Sequence, residues 1–318
     1  GQRWRLTVKD GSTTTRLATA FILFRPQLSL APDGSAIVAW VELRGRRQIV
    51  RAATRTRTGR FSSFTVSGRG QATALADAAG DDGRCLVAFV RNGRLLGRIH
   101  PPGGHWGGAR ELSRAHGKTH WQLNAAVDRG FGELVWIRHR FTSPGRPGVR
   151  ELFAAGFEDA WESVQRLERD GAVGPSLYPD TGGHVLAYAF GPNSAAVARV
   201  RFAGRHGFGP ALDAAAPQGG LRSVSVARAP GFAPVVGWVI PNPSGDGGGI
   251  GYAAALDANA DVFGPREQVT PSEATFDMRL VRSAGQIRAF WTARPDGTGP
   301  SVPVSKIHTV VRTAVRSE

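Results

Sequence analysis

Six times along the chain an apolar run closes on an aromatic residue, and the spacing of those six residues constrains the fold more than any other feature. Val38-Ala39-Trp40, Val87-Ala88-Phe89, Leu134-Val135-Trp136, Leu186-Ala187-Tyr188, Val236-Gly237-Trp238 and Arg288-Ala289-Phe290 align at intervals of 49, 47, 52, 50 and 52 residues. A glycine stands six residues before four of these aromatics, at Gly34, Gly83, Gly130 and Gly182, and seven or five before the others, at Gly231 and Gly285. A second marker follows: Gly59-Arg60-Phe61, Gly104-His105-Trp106 and Gly207-Phe208, with Trp161 and Phe263 at the matching places. Self-similarity of this length, in short runs broken by turns, marks a radial or stacked β repeat.

Each copy holds four runs, which in the first are Gln27–Ala31, Ala36–Val41, Gln48–Thr54 and Phe61–Val66, each about the length of an average strand. Runs rich in Val, Ile, Phe and Ala, separated by Asp-Gly, Gly-Gly and Pro-Gly, predict antiparallel strands joined by hairpins. Helical spacing is sustained nowhere. The expected fold is all-β: a six-bladed β-propeller with four antiparallel strands per blade. The sixth copy ends after its third strand, at Val310–Arg316, while the N-terminus opens on a run, Gly1–Val8, with no strands before it to complete a blade. VVRTAVRSE followed by GQRW matches residues 49–61 almost position for position. The N-terminal strand is therefore expected to close the last blade and remove a free sheet edge. The whole chain is expected to be one propeller domain, with blades near 26–66, 72–113, 121–168, 174–214, 221–270, and 275–318 plus 1–9.

Forty-two glycines and 20 prolines in 318 residues suit a fold with many turns, and 41% hydrophobic residues can fill the spaces between blades. No stretch approaches the ~20 apolar residues that span a bilayer. The single cysteine, Cys85, reads as a small buried residue and excludes an internal disulfide. A chain without an initiator Met that enters a strand at once is expected to be a mature bacterial protein, secreted or displayed at the cell surface, and a monomer.

Charge adds a functional direction. Lys9, Lys118 and Lys306 are the only lysines, so 37 of the 40 basic residues are Arg, and the formal net charge is +15. GC-rich coding accounts for an excess of Arg, Ala, Gly and Val. Such a chain is nonetheless drawn to polyanions at low salt. In a propeller blade the loop between the second and third strands and the link to the next blade share one face. Those loops carry Arg44, Arg46 and Arg47, then Arg91 and Arg94, then Arg138, Arg140, Arg146 and Arg150. The opposite turns carry Asp33, Asp81, Asp82, Asp128 and Asp180, which is also ordinary turn chemistry. On the basic face the link His116-Gly117-Lys118-Thr119-His120-Trp121 offers His116, His120 and Trp121 to a sugar or a base, with His100 and His105 upstream. The candidate binding residues are thus Arg44, Arg46, Arg47, Arg138, Arg140, His116, His120 and Trp121.

No metal site is expected, because the two histidines lie in a loop and lack the glutamate of an HExxH helix. No cofactor is expected either: the Gly-rich 242–249 loop precedes no helix that could hold a phosphate. Nucleophile motifs are missing from the sequence. Paired carboxylates for glycoside chemistry would have to converge from different blades, from among Asp10, Glu42, Asp170, Asp246, Glu273 and Asp277.

The unit Asp-Gly-x-Ala-x-Val-Ala-Trp, then Val-Arg-Ala-Ala, then Gly-x-Phe, present at residues 33–61, resembles the repeats of exported actinobacterial sialidase-like propellers. The resemblance covers the whole chain and implies the fold. The sialidase S-x-D-x-G-x-T-W box does not occur at the third-to-fourth turns. Three functions remain open from sequence: a non-catalytic module binding an anionic or carbohydrate ligand, a glycan-active hydrolase or lyase at the channel mouth, and a protein-interaction scaffold.

Overall fold

The computed structural model describes residues 4–312, except 11, 21, 69, 116–118, 129, 142–147, 181–182, 192–196, 205–206, 215–219, 222, 229–231, 243–247, 258–261, 271–274, 284–285 and 294–307. Every regular element among the described residues is a β-strand, and all pairings are antiparallel. The chain divides into two compact units, residues 1–167 and 168–318.

The first unit opens with a hairpin of β1 (Trp4–Asp10) and β2 (Thr13–Ala20). Three four-stranded sheets follow, each in sequential strand order. The first repeat sheet is β3 (Ile22–Leu30), β4 (Ala36–Arg44), β5 (Arg47–Arg55) and β6 (Ser62–Thr65). The next is β7 (Ala72–Ala79), β8 (Cys85–Arg91), β9 (Arg94–His100) and β10 (Arg110–Arg114). The third is β11 (Thr119–Asp128), β12 (Phe131–Arg140), β13 (Val149–Phe157) and β14 (Gln165–Glu168).

The second unit holds the other three repeats. In the fourth, β15 (Ala172–Asp180), β16 (Gly183–Phe190) and β17 (Val197–Gly204) are followed by β18 (Gly207–Phe208) and β19 (Leu212–Asp213), which both pair with β17. In the fifth, β20 (Ser223–Ala227), β21 (Val235–Pro241) and β22 (Gly249–Asp257) are followed by β23 (Val262–Phe263) and β24 (Glu267–Gln268), both paired with β22. The fourth strand expected from sequence is thus broken in two in both sheets. The sixth has β25 (Thr275–Ser283), β26 (Gln286–Ala293) and β27 (His308–Arg312) among the described residues.

The sequence expectation for the N-terminus is corrected. Trp4–Asp10 pairs with Thr13–Ala20 in a sheet of its own, so the described residues form seven sheets, not six with the first strand in the last. Only two residues separate β1 from β2, and closing so short a loop costs far less chain entropy than pairing across the whole chain. The hairpin packs Leu6, Val8, Leu17 and Ala18 onto Val38, Trp40 and Ala53 of the first repeat sheet.

One packing rule runs through the repeats. Side chains alternate across a strand, and both faces of the second strand are buried in the first five repeats, which is why it reads there as an apolar run. On β4, Val38 and Trp40 face the hairpin, while Ile37, Ala39 and Val41 join Val87 and Phe89 of the next sheet. On β8, Leu86, Ala88 and Val90 join Leu134 and Trp136. In the second unit Trp238 packs on Val185, Ala187, Ala189 and Ala198, and Trp291 packs with Ala227 and Val239. Phe89, Trp136, Trp238 and Trp291 therefore each pack among apolar residues of the preceding sheet, and Trp40 packs on the N-terminal hairpin. The sixth anchor is Trp291, which is buried, one residue beyond the expected Phe290.

Side chains tie the first strand of each of two sheets, β7 and β25, to the sheet before it. The Ala39 N–H donates to Asp77 Oδ2 at 3.0 Å and the Ala79 N–H to Ser29 Oγ at 3.1 Å. In the second unit Ser223 Oγ donates to Asp277 Oδ1 at 2.6 Å, and the Leu280 N–H donates to Ser225 Oγ at 2.9 Å.

Candidate ligand-binding edge

Antiparallel register decides which residues share an edge of the first unit. The β4–β5 hairpin pairs Arg44 with Arg47 around Gly45-Arg46, and the β8–β9 hairpin pairs Arg91 with Arg94 around Asn92-Gly93. Asn92 and Gly93 both take positive φ, 50° and 74°, the backbone that a two-residue hairpin demands. Arg94 pairs in turn with Arg114 on β10. In the third sheet Arg138, His139 and Arg140 at the end of β12 pair with Glu151, Arg150 and Val149 on β13.

These residues form a continuous strip. Gln48, next to Arg47, bridges to Gly70 in the link to the next sheet, and the Arg91 side chain lies over Gly70. Arg91 stands opposite Arg94, and Arg94 opposite Arg114. Arg138 Nη1 then donates to the Arg114 carbonyl at 3.1 Å. Along this edge nine described arginines, 44, 46, 47, 91, 94, 114, 138, 140 and 150, meet three glutamates, Glu42, Glu111 and Glu151. The carboxylates hold arginines in place without cancelling them. Glu151, buried, takes Arg138 at 2.9 Å and Arg140 at 3.2 Å on the same oxygen. Glu111 takes Arg114 at 2.8 Å and Arg94 at 3.4 Å, and its hydrogen bond from Arg114 holds its carboxyl below the usual range. Arg44 binds Glu42 at 2.7 Å. Arg46 and Arg47 are exposed.

The sequence-derived residues fall differently. Arg44, Arg46 and Arg47 share one hairpin, and Arg138 and Arg140 share one carboxylate. Trp121 is 5% exposed and lies in the core with Ala88, Leu134 and Trp136, so it is a packing residue and cannot stack on a ligand. His120 pairs with His139, a neighbour that sequence reasoning missed. His116 lies outside the described residues. His100 is at the far edge, opposite Cys85, with its ring 5.3 Å from Trp106, so the link histidines do not gather it.

The Asp turns are structural. Asp33 accepts from the Ser35 N–H at 2.7 Å, and Asp82 from the Arg84 N–H at 2.9 Å. Of the carboxylate candidates, Asp170 accepts from the Gly171 N–H at 2.7 Å. Asp10 pairs with Arg55, Glu42 with Arg44 and Asp277 with Ser223, while Asp246 and Glu273 lie outside those residues, as does most of the Gly-rich loop.

Two exposed rings were also missed. Trp4, 61% exposed, pairs with Ala20, two residues before Ile22, which pairs with Leu43, so it stands at the Arg44 edge. Phe141, 53% exposed, follows Arg140 and packs its ring 4.2 Å from His139. The signal for Phe141 was its place directly after the Arg138–Arg140 run.

No family model and no curated protein matches the chain. Solved structures do. A polysaccharide lyase, the PL25 ulvan lyase bound to -[GlcA(1-4)Rha3S]-, is 10% identical over 91% of this chain and 80% of its own, with a TM-score of 0.57. The Trypanosoma rangeli sialidase is 12% identical over 98% of this chain and 60% of its own, at 0.49. The Aleuria aurantia lectin is 13% identical over 84% of this chain and 87% of its own, at 0.47. The chain is an all-β protein of antiparallel sheets with the fold likeness of β-propellers.

Proposed function

We propose that the protein binds an acidic polysaccharide along the arginine strip of its first unit. The observation that carries this reading is the strip's continuity. Nine guanidinium groups run over three sheets against three carboxylates, with Arg46 and Arg47 open to solvent. Planar guanidinium forks suit carboxylate and sulfate groups. A row of them suits a polymer whose charges recur. The PL25 ulvan lyase, whose ligand contains glucuronate and a sulfated sugar, is consistent with such a ligand class on such a fold. The reading also carries the secreted or cell-surface location, the monomeric state, and the organisation of the six repeat sheets as blades of one propeller.

The test is retention on immobilised heparin and polygalacturonate at two salt concentrations, with the Arg44→Ala/Arg46→Ala/Arg47→Ala variant alongside. Salt-sensitive binding that weakens by about tenfold or more in the variant is expected, since log affinity falls with each ionic contact removed. Equal retention of both proteins, or none, refutes it.

A second reading, eliminative cleavage of a uronate polymer, is favoured by one observation. His120, His139 and Arg150 occupy a single cross-strand row on β11, β12 and β13. In such a reaction a base removes the C5 proton of a uronate, the C4–O bond breaks to form a C4–C5 double bond, and an acid protonates the departing oxygen. A guanidinium on the carboxylate favours the carbanion that develops. Ultraviolet absorbance of the unsaturated product from polyuronates, lost in His139→Ala, would support cleavage. Binding without product would leave the protein a binder.

A further inference from the structure

Resting on the acidic-polysaccharide reading, we infer that Trp4 and Phe141 are sugar-stacking platforms at the two ends of the arginine strip, so that the ligand engaged is a chain spanning three sheets.

Trp4 differs from every other tryptophan of the chain. Trp40, Trp121, Trp136, Trp161, Trp238 and Trp291 are buried, and Trp106 is half-buried against Phe64, with ring centroids 4.4 Å apart. Trp4 alone presents most of its indole to water, beside the hairpin that carries Arg44, Arg46 and Arg47. Phe141 stands beyond Arg140, its ring held at 41° against His139. Leaving large apolar rings in water forfeits burial, and here both sit among cations at one edge. A pyranose ring offers an apolar C–H face for an indole or phenyl ring, while its carboxylate or sulfate meets guanidinium. That combination separates an acidic sugar from a simple polyanion.

The spacing favours sugar over nucleic acid. Single-stranded nucleic acid is held by aromatics that take successive bases. Here the two rings flank three stacked sheets, which pack about 10 Å apart face to face. A ligand touching both must be extended, with its charges running between them.

The experiment uses the full chain. Acrylamide quenching of tryptophan fluorescence reports mainly on Trp4, and it should fall when polygalacturonate or heparin binds. Trp4→Ala and Phe141→Ala should each weaken polymer binding about fivefold to tenfold, an aromatic contact of ordinary size, while leaving the salt dependence unchanged. Arg46→Ala/Arg47→Ala should instead flatten the salt dependence. A disaccharide of the same sugar should bind far more weakly than the polymer. If the polymer binds but quenching and the affinity of both aromatic variants stay at the wild-type level, the inference falls and the binding function stands. Single-stranded DNA that protects Trp4 more strongly than polysaccharide would overturn the sugar assignment. If no polymer binds the wild type, the functional reading fails first and the inference with it.

Discussion

The indole of Trp161 lies so close over the Cα of Gly97 that a Cβ at position 97 would clash with its Cζ2, Cε2 and Cη2 atoms. Gly97 is on β9 and Trp161 follows β13, so this hollow keys the third repeat sheet to the second within the shared core. Gly97→Ala must displace a fully packed indole and should lower stability by about 1–3 kcal/mol, the usual cost of overpacking. Gly108→Ala, where a Cβ meets nothing within 4 Å, should change it by less than about 0.5 kcal/mol. Urea denaturation of the two variants checks the difference.

Two interior carboxyls should make the fold lose stability as pH rises. Glu133 is buried over Gly156 with both oxygens unbonded among the described residues. Burial first, and then the negative charge of Glu162, raise its pKa from 4.5 to about 8. Asp77 is raised by burial from 3.8 to about 8, against the lowering effect of the Ala39 N–H. A carboxyl whose folded pKa exceeds its unfolded value binds its proton more tightly in the folded state. Its contribution is therefore complete below about 4 and is lost as pH climbs to 8. Glu133→Gln should flatten the fall of Tm between pH 5 and 9, and adding Asp77→Asn should flatten it further.

His184 produces the opposite slope at the acid side. Burial pushes its imidazole from 6.5 down to about 3. With the folded pKa depressed, the folded state binds the proton less tightly than the unfolded chain. The neutral ring supports the fold fully above pH 6.5, and that support is lost as pH falls toward 3. Thermal melts of His184→Gln should show a shallower decline across that window than the wild type.

Cys85 should be silent in the native protein. It is buried in the core between the first two repeat sheets, and burial, followed by the charges of Asp77 and Asp82, pushes its thiol up to about 12. Only the thiolate reacts readily. A thiol-reactive disulfide reagent at pH 8 should therefore modify Cys85 at the rate of unfolding, and urea should accelerate the reaction. Rapid labelling in native buffer would contradict the burial.

Much of the fold was legible because it follows from pattern. The run Ala36–Val41 reads as one apolar strand, and both of its faces are covered. The glycine six residues before the aromatic is needed for its backbone: Gly34, Gly83 and Gly130 have φ of 90°, 83° and 73°. Thr13–Ala20 was not legible, since TTTRLATA carries little apolar signal and its pairing with β1 rests on proximity. The arginine edge could be read from loop positions alone. Trp121 was misread because sequence shows an aromatic after a loop, whereas strand register turns that side chain into the core. His139 was overlooked because its nearness to His120 exists only through the β11–β12 pairing.

The fit of Phe89 and Trp136 in the first unit, and of Trp238 and Trp291 in the second, against the sheet before each gives the run of sheets within each unit a direction, as a plug and its socket do. A duplicated copy inserted between two others would present a plug to one neighbour and a socket to the next without any new invention. Copy number in such a chain can change by whole repeats, while half a repeat leaves one bare indole and one empty hollow.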